Sequence, residues 1–470
     1  MGILSYKQET KKRLELILDS LSDSGTSIVN RWAGGRTVHT GAIRFMHHPK
    51  VKLEYLIDFV KSRQMTPQQP GEHVLVIQDT SELNYNHLNG LLKVNDLDIG
   101  LLSDNKSTGF LIHPGLAIRA STGAPLGISS LDIWNRKIGS PSRKERDYTK
   151  QPIEDKESYK WISSAEQSKA WLAPGSRMTL IGDQENDIFE YLASVPDERT
   201  DILVRSCWNK KLSTGLLLDQ ELEQLPWQAA LDLEVKGNDK RSQRTARLQL
   251  KWTNIELVKP SKRKYLLAKY PDQVKLSVVE VCEHPDSVPQ GEEPIHWRLF
   301  TTHEVNTLED ALLIVKWYKW RWFIEDLFRV LKTKGLEVES SQFGTGMALK
   351  KLVTICLAEA VKILALRQER LGTNNYDADL VFDQQEQDFL HVLNKEMEGE
   401  TKKQQNPYRP RSLAWAAWIV AVLGGWTPTD MTKRPPGVIT MSRGLKYFTQ
   451  RYSGWKAALL YFQQISNNST

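Results

Sequence analysis

The chain has 470 residues, 40% of them hydrophobic and 26% charged, and a formal net charge of +6; this predicts a soluble globular protein of two to four domains. Its three cysteines, Cys207, Cys282 and Cys356, are few, odd in number and widely spaced, which excludes a disulfide framework or a zinc pattern and fits a reducing cytoplasm. The first seven residues lack the apolar core of a signal peptide, and the 14-residue apolar run from Leu413 to Trp426 is too short to span a bilayer, so no membrane partner is expected.

In chain order, residues 1–65 read as a helical unit. Lys7–Leu21 carries Leu14, Leu16, Ile17 and Leu21 at helical spacing, Gly34-Gly35 marks a turn, and two short helices follow over Thr37–Met46 and Lys50–Val60. Small basic helical units of this kind commonly bind DNA, and are equally found as ordinary surface elements. Beyond them, His73–Thr80 reads as a buried strand ending in an acid, Gly109–Ala120 and Pro125–Trp134 as further strands, the second opening after a turn at Gly123, and Ser163–Leu172 as a helix. Thr179–Asp183 is a second buried strand ending in an acid, a helix starts at Asp187, and Ile202–Arg205 is another strand. Three strands followed by strand, helix and strand predict a mixed sheet flanked by helices.

From 207 to 302 the pattern changes to period two, in Leu231–Val235 and Ala246–Trp252, with more strand at Val278–Val281 and Trp297–Thr301. This reads as an all-β insertion. Lys236–Lys264 holds ten Lys or Arg against Asp239 and Glu256, a net +8 over 29 residues. Such a patch suits a polyanion, and equally a solvated basic loop. The helical pattern resumes at Thr307, an N-cap with Glu309 and Asp310 in the first turn, and is expected to run unbroken to Lys334. A helix over Met347–Arg370 follows. The remainder to 470 is helical in places, at Phe389–Met397, Leu413–Leu423 and Leu445–Phe462. The Leu413–Leu423 helix is either a capping core helix or a surface for a partner chain.

The residues that suggest chemistry lie on and before the Thr307 helix. At about 100° per residue from Tyr318, Arg321 falls near 300°, Glu325 near 340° and Lys332 near 320°, one narrow stripe beside an apolar face. A carboxylate between two cations and a phenol suits a metal ion beside a phosphate. Asp79 and Asp183 end strands, and ligands gather at strand ends in open α/β sheets. The spacings from Asp79 to Asp183 and from Asp183 to Glu325 are 104 and 142 residues. Phosphodiester hydrolysis by two metals needs such carboxylates, holding ions roughly 4 Å apart. Singly, each acid reads as well as a turn residue, a cap or half of a surface ion pair. Glu185 and Asp187 are spare acids that become ligands in place of Asp183 if the strand register differs.

The ordered set is what makes a family resemblance. Ile77-Gln78-Asp79-Thr80-Ser81, Ile181–Ile188 around Asp183, and Tyr318, Arg321, Glu325 and Lys332 at Y-x-x-R-x-x-x-E-x-x-x-x-x-x-K spacing resemble the DDE transposases of bacterial cut-and-paste elements. Among these the chain is similar to the insertion-sequence-four group, from about Lys11 through the helix after Gly344. The resemblance implies a ribonuclease-H-like catalytic core at 66–206 and 303–370, interrupted by the β insertion at 207–302. It also implies an N-terminal DNA-recognition domain at 1–65 and a helical dimerisation region at 371–470.

It implies further that Asp79, Asp183 and Glu325 bind two Mg²⁺ or Mn²⁺ ions. The reaction would be nicking by water at the transposon end, hairpin formation, hairpin opening and strand transfer into target DNA. Tyr318, Arg321 and Lys332 would grip phosphates, and Trp297 would receive a flipped base, although it reads equally as a buried strand residue. Arg205 and the Lys240-Arg241 loop would approach DNA. Asp326 departs from the family's second glutamate. The implied partners are double-stranded DNA and a second copy of the chain bound to it, in a bacterial, nucleoid-associated setting. A non-cutting DNA-binding inhibitor is the alternative, and a small resolvase is disfavoured by the long β insertion.

Overall fold

In a computed structural model, the described residues are 3–32, 35–63, 65, 68–92, 96–136, 151–235, 237, 241–261, 267–332, 335–428 and 435–468. They build a mixed α/β protein: one large sheet with helices at both ends of the chain. Helices α1 (Ile3–Ser24), α2 (Gly35–His47) and α3 (Leu53–Ser62) come first. Strands β1 (His73–Gln78), β2 (Ser81–Asn84), β3 (Gly100–Leu101), β4 (Thr108–Arg119) and β5 (Pro125–Trp134) follow, then α4 (Lys160–Trp171), β6 (Arg177–Gly182), α5 (Phe189–Ser194) and β7 (Thr200–Arg205). Next come α6 (Leu218–Glu223), β8 (Ala229–Val235), β9 (Arg244–Val258), β10 (Gln273–Glu283) and β11 (His296–Thr301). The chain then continues through α7 (Leu308–Lys319), α8 (Trp322–Lys332), α9 (Gly346–Glu369), α10 (Gln384–Met397), α11 (Leu413–Leu423) and α12 (Val438–Asn468).

The 11 strands form one sheet in the order β2-β4-β1-β6-β7-β11-β10-β9-β8, with β3 and β5 also pairing β4. β1, β6 and β7 run parallel, while β4 and β11 flank them antiparallel. The segment 207–302 is therefore not a separate β layer. Its strands extend the same sheet through β7–β11 pairing, and it contains the helix α6, so it is not all-β. Period two reports strands faithfully but says nothing about which sheet they join.

Alternation along β1 and β6 divides the core. Leu75, Ile77 and Ile181 face the layer that holds α7, α8 and α9, whereas Val74, Val76 and Leu180 face α4 and α5. His73 and Asp79 share the parity of Leu75, and Thr179 and Asp183 that of Ile181, so all four belong to the α7–α9 side. α9 runs through the middle of that layer, with most of its residues buried. Its Lys351 donates to the carbonyls of Met46 and His48 at the end of α2, and its Lys350 pairs with Asp98 at 3.0 Å.

Several expectations meet the structure directly. Thr307 caps α7 as expected, accepting from the Asp310 amide while the Asp310 carboxylate accepts from the Thr307 amide. Gly123 turns the chain between β4 and β5 at φ +80°, and Trp320 packs 3.2 Å from where a side chain would begin. Leu14, Ile17 and Leu21 are buried, but Leu16 is 58% exposed and faces solvent; it lies about 140° from Leu21 on the helix, outside the stripe. Leu413–Ala421 is buried within this chain, so α11 is a core helix. Among the described residues no helix is long and apolar enough to cross a membrane, and the three cysteines are free.

Candidate active site

β1 and β6 pair in parallel with a fixed offset, His73 opposite Arg177 and Ile77 opposite Ile181. That offset of 104 is also the spacing of Asp79 and Asp183. One step past the strands, the two acids therefore stand side by side on neighbouring strands about 4.8 Å apart, at the carboxyl ends and on one face. Burial, and then the charge of Asp183, push the Asp79 carboxyl up to about 6, with Glu325 adding to the effect. The Thr80 amide donates to Asp79 Oδ1 at 2.7 Å. Asp183 caps a short turn by accepting from the Glu185 amide at 2.9 Å.

The helix expected to run from Thr307 to Lys334 is two helices. At the joint the bonding tightens to i→i+3, from the Arg321 amide to the Tyr318 carbonyl at 3.0 Å and from the Phe323 amide to Trp320 at 2.9 Å. Such a turn advances about 120° per residue, so the stripe counted at one constant angle does not belong to one helix. Hydrophobic spacing cannot register a joint that keeps the same hand of turn. Tyr318 sits on α7, Arg321 in the joint, and Glu325 and Lys332 on α8.

Across the joint, Arg321 bridges two of the acids. Its Nη1 donates to Asp79 Oδ2 at 3.3 Å and its Nη2 to Glu325 Oε1 at 2.9 Å. Burial raises the Glu325 carboxyl, and Arg321 pulls it back down. Asp326 points elsewhere: it pairs with Arg329 and with Arg367 of α9, which pins α8 to α9 and orients its neighbour Glu325. Tyr318 is only 4% exposed. Its ring lies against Trp297 of β11, with centroids 5.5 Å apart at 63°, and burial raises its phenol. Trp297 is half-buried, and Glu280 of β10 holds the flanking His296 and Arg298 at 2.9 and 2.8 Å. Arg205, at the end of β7, donates to the His296 carbonyl at 3.0 Å.

Other expected positions lie further away. Lys332 stands two turns beyond Glu325, about 10 Å along α8, and pairs with Glu339 at 3.9 Å; burial lowers its ammonium. Arg241 lies between β8 and β9, and β9 is five strands from β1, or about 24 Å, so the fold does not bring it to the acids. Lys240 lies outside the described residues. The spare acids are accounted for. Glu185 pairs with Lys160 at 3.2 Å, and the buried Asp187 accepts from Ser206 Oγ and the Cys207 amide and pairs with Lys210 at 2.9 Å.

Sequence reasoning missed His113 of β4. It is fully buried, with Nδ1 2.9 Å from Thr80 Oγ1, and its ring meets Trp161 edge-on at 4.6 Å. Burial holds the imidazole well below its ordinary range, so it is neutral and braces the Asp79–Thr80 turn from the opposite face. No local signal marks it: His113 comes opposite Thr80 only through the register that sets Gln78 opposite Gly115.

Three carboxylates are hard oxygen donors of the kind that Mg²⁺ and Mn²⁺ take. As placed, however, no group of three or more His, Cys, Asp or Glu among the described residues is set to hold a metal. Asp79 and Glu325 each spend an oxygen on Arg321. The donor chemistry fits a divalent ion.

No family model matches the chain. Among solved structures it is similar to a cryo-EM structure of the piggyBac transposase synaptic complex with hairpin DNA, at 9% identity and a TM-score of 0.30. The similarity covers 72% of this chain and 61% of that one, so the chain spans less than two thirds of that protein's length. At that level the likeness assigns neither fold nor chemistry to this chain.

Proposed function

We propose that this protein is a metal-dependent DNA transposase that cuts and rejoins DNA at the site formed by Asp79, Asp183 and Glu325. The observation that carries the reading is the convergence of three acids, 104 and 142 residues apart in sequence, on one face of one sheet. The strand order β5-β4-β1-β6-β7, antiparallel then parallel, supports a ribonuclease-H-like core, and β8–β11 supports an insertion within it.

Two divalent ions held by the three carboxylates would activate the attacking oxygen and stabilise the leaving one. The chain's own groups do the rest. Arg321 presents a planar fork suited to a phosphate, with Tyr318 packed beside it and Arg205 near. Lys332 adds positive charge along α8. Trp297 offers an indole face to a displaced base. The sequence of steps is water attack at the element end, attack of the freed 3′-hydroxyl on the opposite strand to form a hairpin, hairpin opening, and joining to target DNA.

Coordinated cutting of two ends calls for two copies on the DNA. The outer end of α12 has Leu460, Tyr461 and Phe462 each more than 60% exposed, a surface for the second copy to cover. Light scattering of the DNA complex counts the copies, and a single copy would refute this arrangement.

The test uses a duplex carrying the element's ends with Mg²⁺. The wild type nicks it and forms hairpins, while Glu325→Ala binds without cutting. Normal cutting by Glu325→Ala would overturn the three-acid assignment. Trp297→Ala slows hairpin formation more than the first nick; equal slowing would reject its base-stacking role.

A further inference from the structure

We infer that Arg321 is a built-in counter-cation of the acid cluster, which a divalent ion must displace before Asp79 and Glu325 can hold it. The inference rests on the metal-dependent reading above and adds a regulatory step to that site. Its basis is the sharing of oxygens. Asp79 Oδ1 is taken by the Thr80 amide at 2.7 Å and Oδ2 by Arg321 at 3.3 Å. Glu325 Oε1 is taken by the same guanidinium at 2.9 Å. A cation bridging these two carboxylates would sit where the guanidinium now spans Asp79 Oδ2 and Glu325 Oε1, so the two cations compete for one place.

The pose also costs the arginine something. Its Nε is buried with no hydrogen-bond acceptor, and an unmet buried donor is destabilising. A phosphate offers a guanidinium acceptors enough for the whole fork. The way out is prepared: the guanidinium carbon lies 5.3 Å from the Trp322 ring, and Trp322 is 56% exposed. An aromatic face at the rim can carry the cation as it leaves the carboxylates. Ion binding and phosphate binding then assist one another, because each favours the outward arginine.

The experiment titrates Mn²⁺ into the full chain without DNA, following free Mn²⁺ by electron paramagnetic resonance. It compares wild type, Arg321→Gln and Arg321→Lys, each with and without Asp183→Asn. Removing the competing cation is expected to tighten Mn²⁺ binding about tenfold in Arg321→Gln. Arg321→Lys, which reaches one carboxylate, should fall between. In parallel, Arg321→Gln should melt lower without Mn²⁺ and gain more from its addition than the wild type. If Arg321→Gln does not fold, the intermediate tightening in Arg321→Lys decides the matter.

Unchanged or weaker Mn²⁺ binding in the arginine variants, with Asp183→Asn still weakening it, would overturn the counter-cation role and leave the acid site standing. Asp183→Asn without effect in any background would remove the metal site itself, and the inference with it.

Discussion

The two ends of the β1–β6 pair carry buried polar clusters of opposite kinds. At the amino end, His73 Nε2 and His303 Nε2 both meet Thr179 Oγ1, at 2.8 and 2.7 Å. Asp201 beyond them is held by Thr302 and by Arg177, at 2.8 and 3.0 Å. Trp317 closes the cluster with its ring 5.0 Å from His73. Burial drives both imidazoles toward the neutral form, His73 to about 4. At the carboxyl end burial acts on acids, and like charges are gathered rather than dispersed. One cluster joins two neutral imidazoles and a hydroxyl to an acid that already has its cation, Asp201 with Arg177. The other is a crowd of carboxylates that needs a cation. Perturbed groups alone do not mark a function; what separates the ends is whether the partners complete the network or leave it charged.

The comparison can be strained from the amino end first, where the expected effect is largest. The folded pKa of His73, about 4, lies below its ordinary value. Its contribution to stability is therefore present above about pH 6.5 and lost as pH falls through about 4. On the order of 3 kcal/mol should disappear over that window. Urea unfolding at pH 7 and pH 4 measures it, and His73→Asn should flatten that part of the profile. A wild-type stability that is level from pH 7 to pH 4 would break the contrast.

The carboxyl end predicts the opposite sign and a slightly smaller size. The folded pKa of Asp79, about 6, lies above its ordinary 3.8, so the group favours folding below about 3.8 and ceases to do so as pH rises through about 6. Asp79→Asn, unfolded in the presence of a chelator, should therefore be more stable than wild type at pH 7.5 by about 3 kcal/mol, a gain that fades toward pH 4. A loss of stability at pH 7.5 would mean that Arg321 more than offsets the crowding.

Much of this was legible in the residues. The continuous apolar run after His73 is read as a buried strand ending in an acid, and β1 is that strand. The Thr307 cap and the glycine turn at Gly123 followed from local chemistry. Long-range ties were not legible. That Asp187 belongs to Ser206, Cys207 and Lys210, leaving Asp183 as the acid beside Asp79, depends on contacts about twenty residues away. The joint at Trp320–Arg321 was hidden because a tight turn preserves the spacing of apolar residues. The burial of Tyr318 beneath Trp297 depends on β11 joining the sheet beside β7, which period two does not encode.

Iron-promoted backbone cleavage tests the central claim most directly. Fe²⁺ substituted for Mg²⁺, with ascorbate and peroxide, cuts the chain next to where the ion sits. Cuts clustered around residues 79, 183 and 325, and lost in Asp183→Asn, are the predicted result. Cuts at the His73–His303 end, or cuts at the three acids that persist in Asp183→Asn, would contradict it.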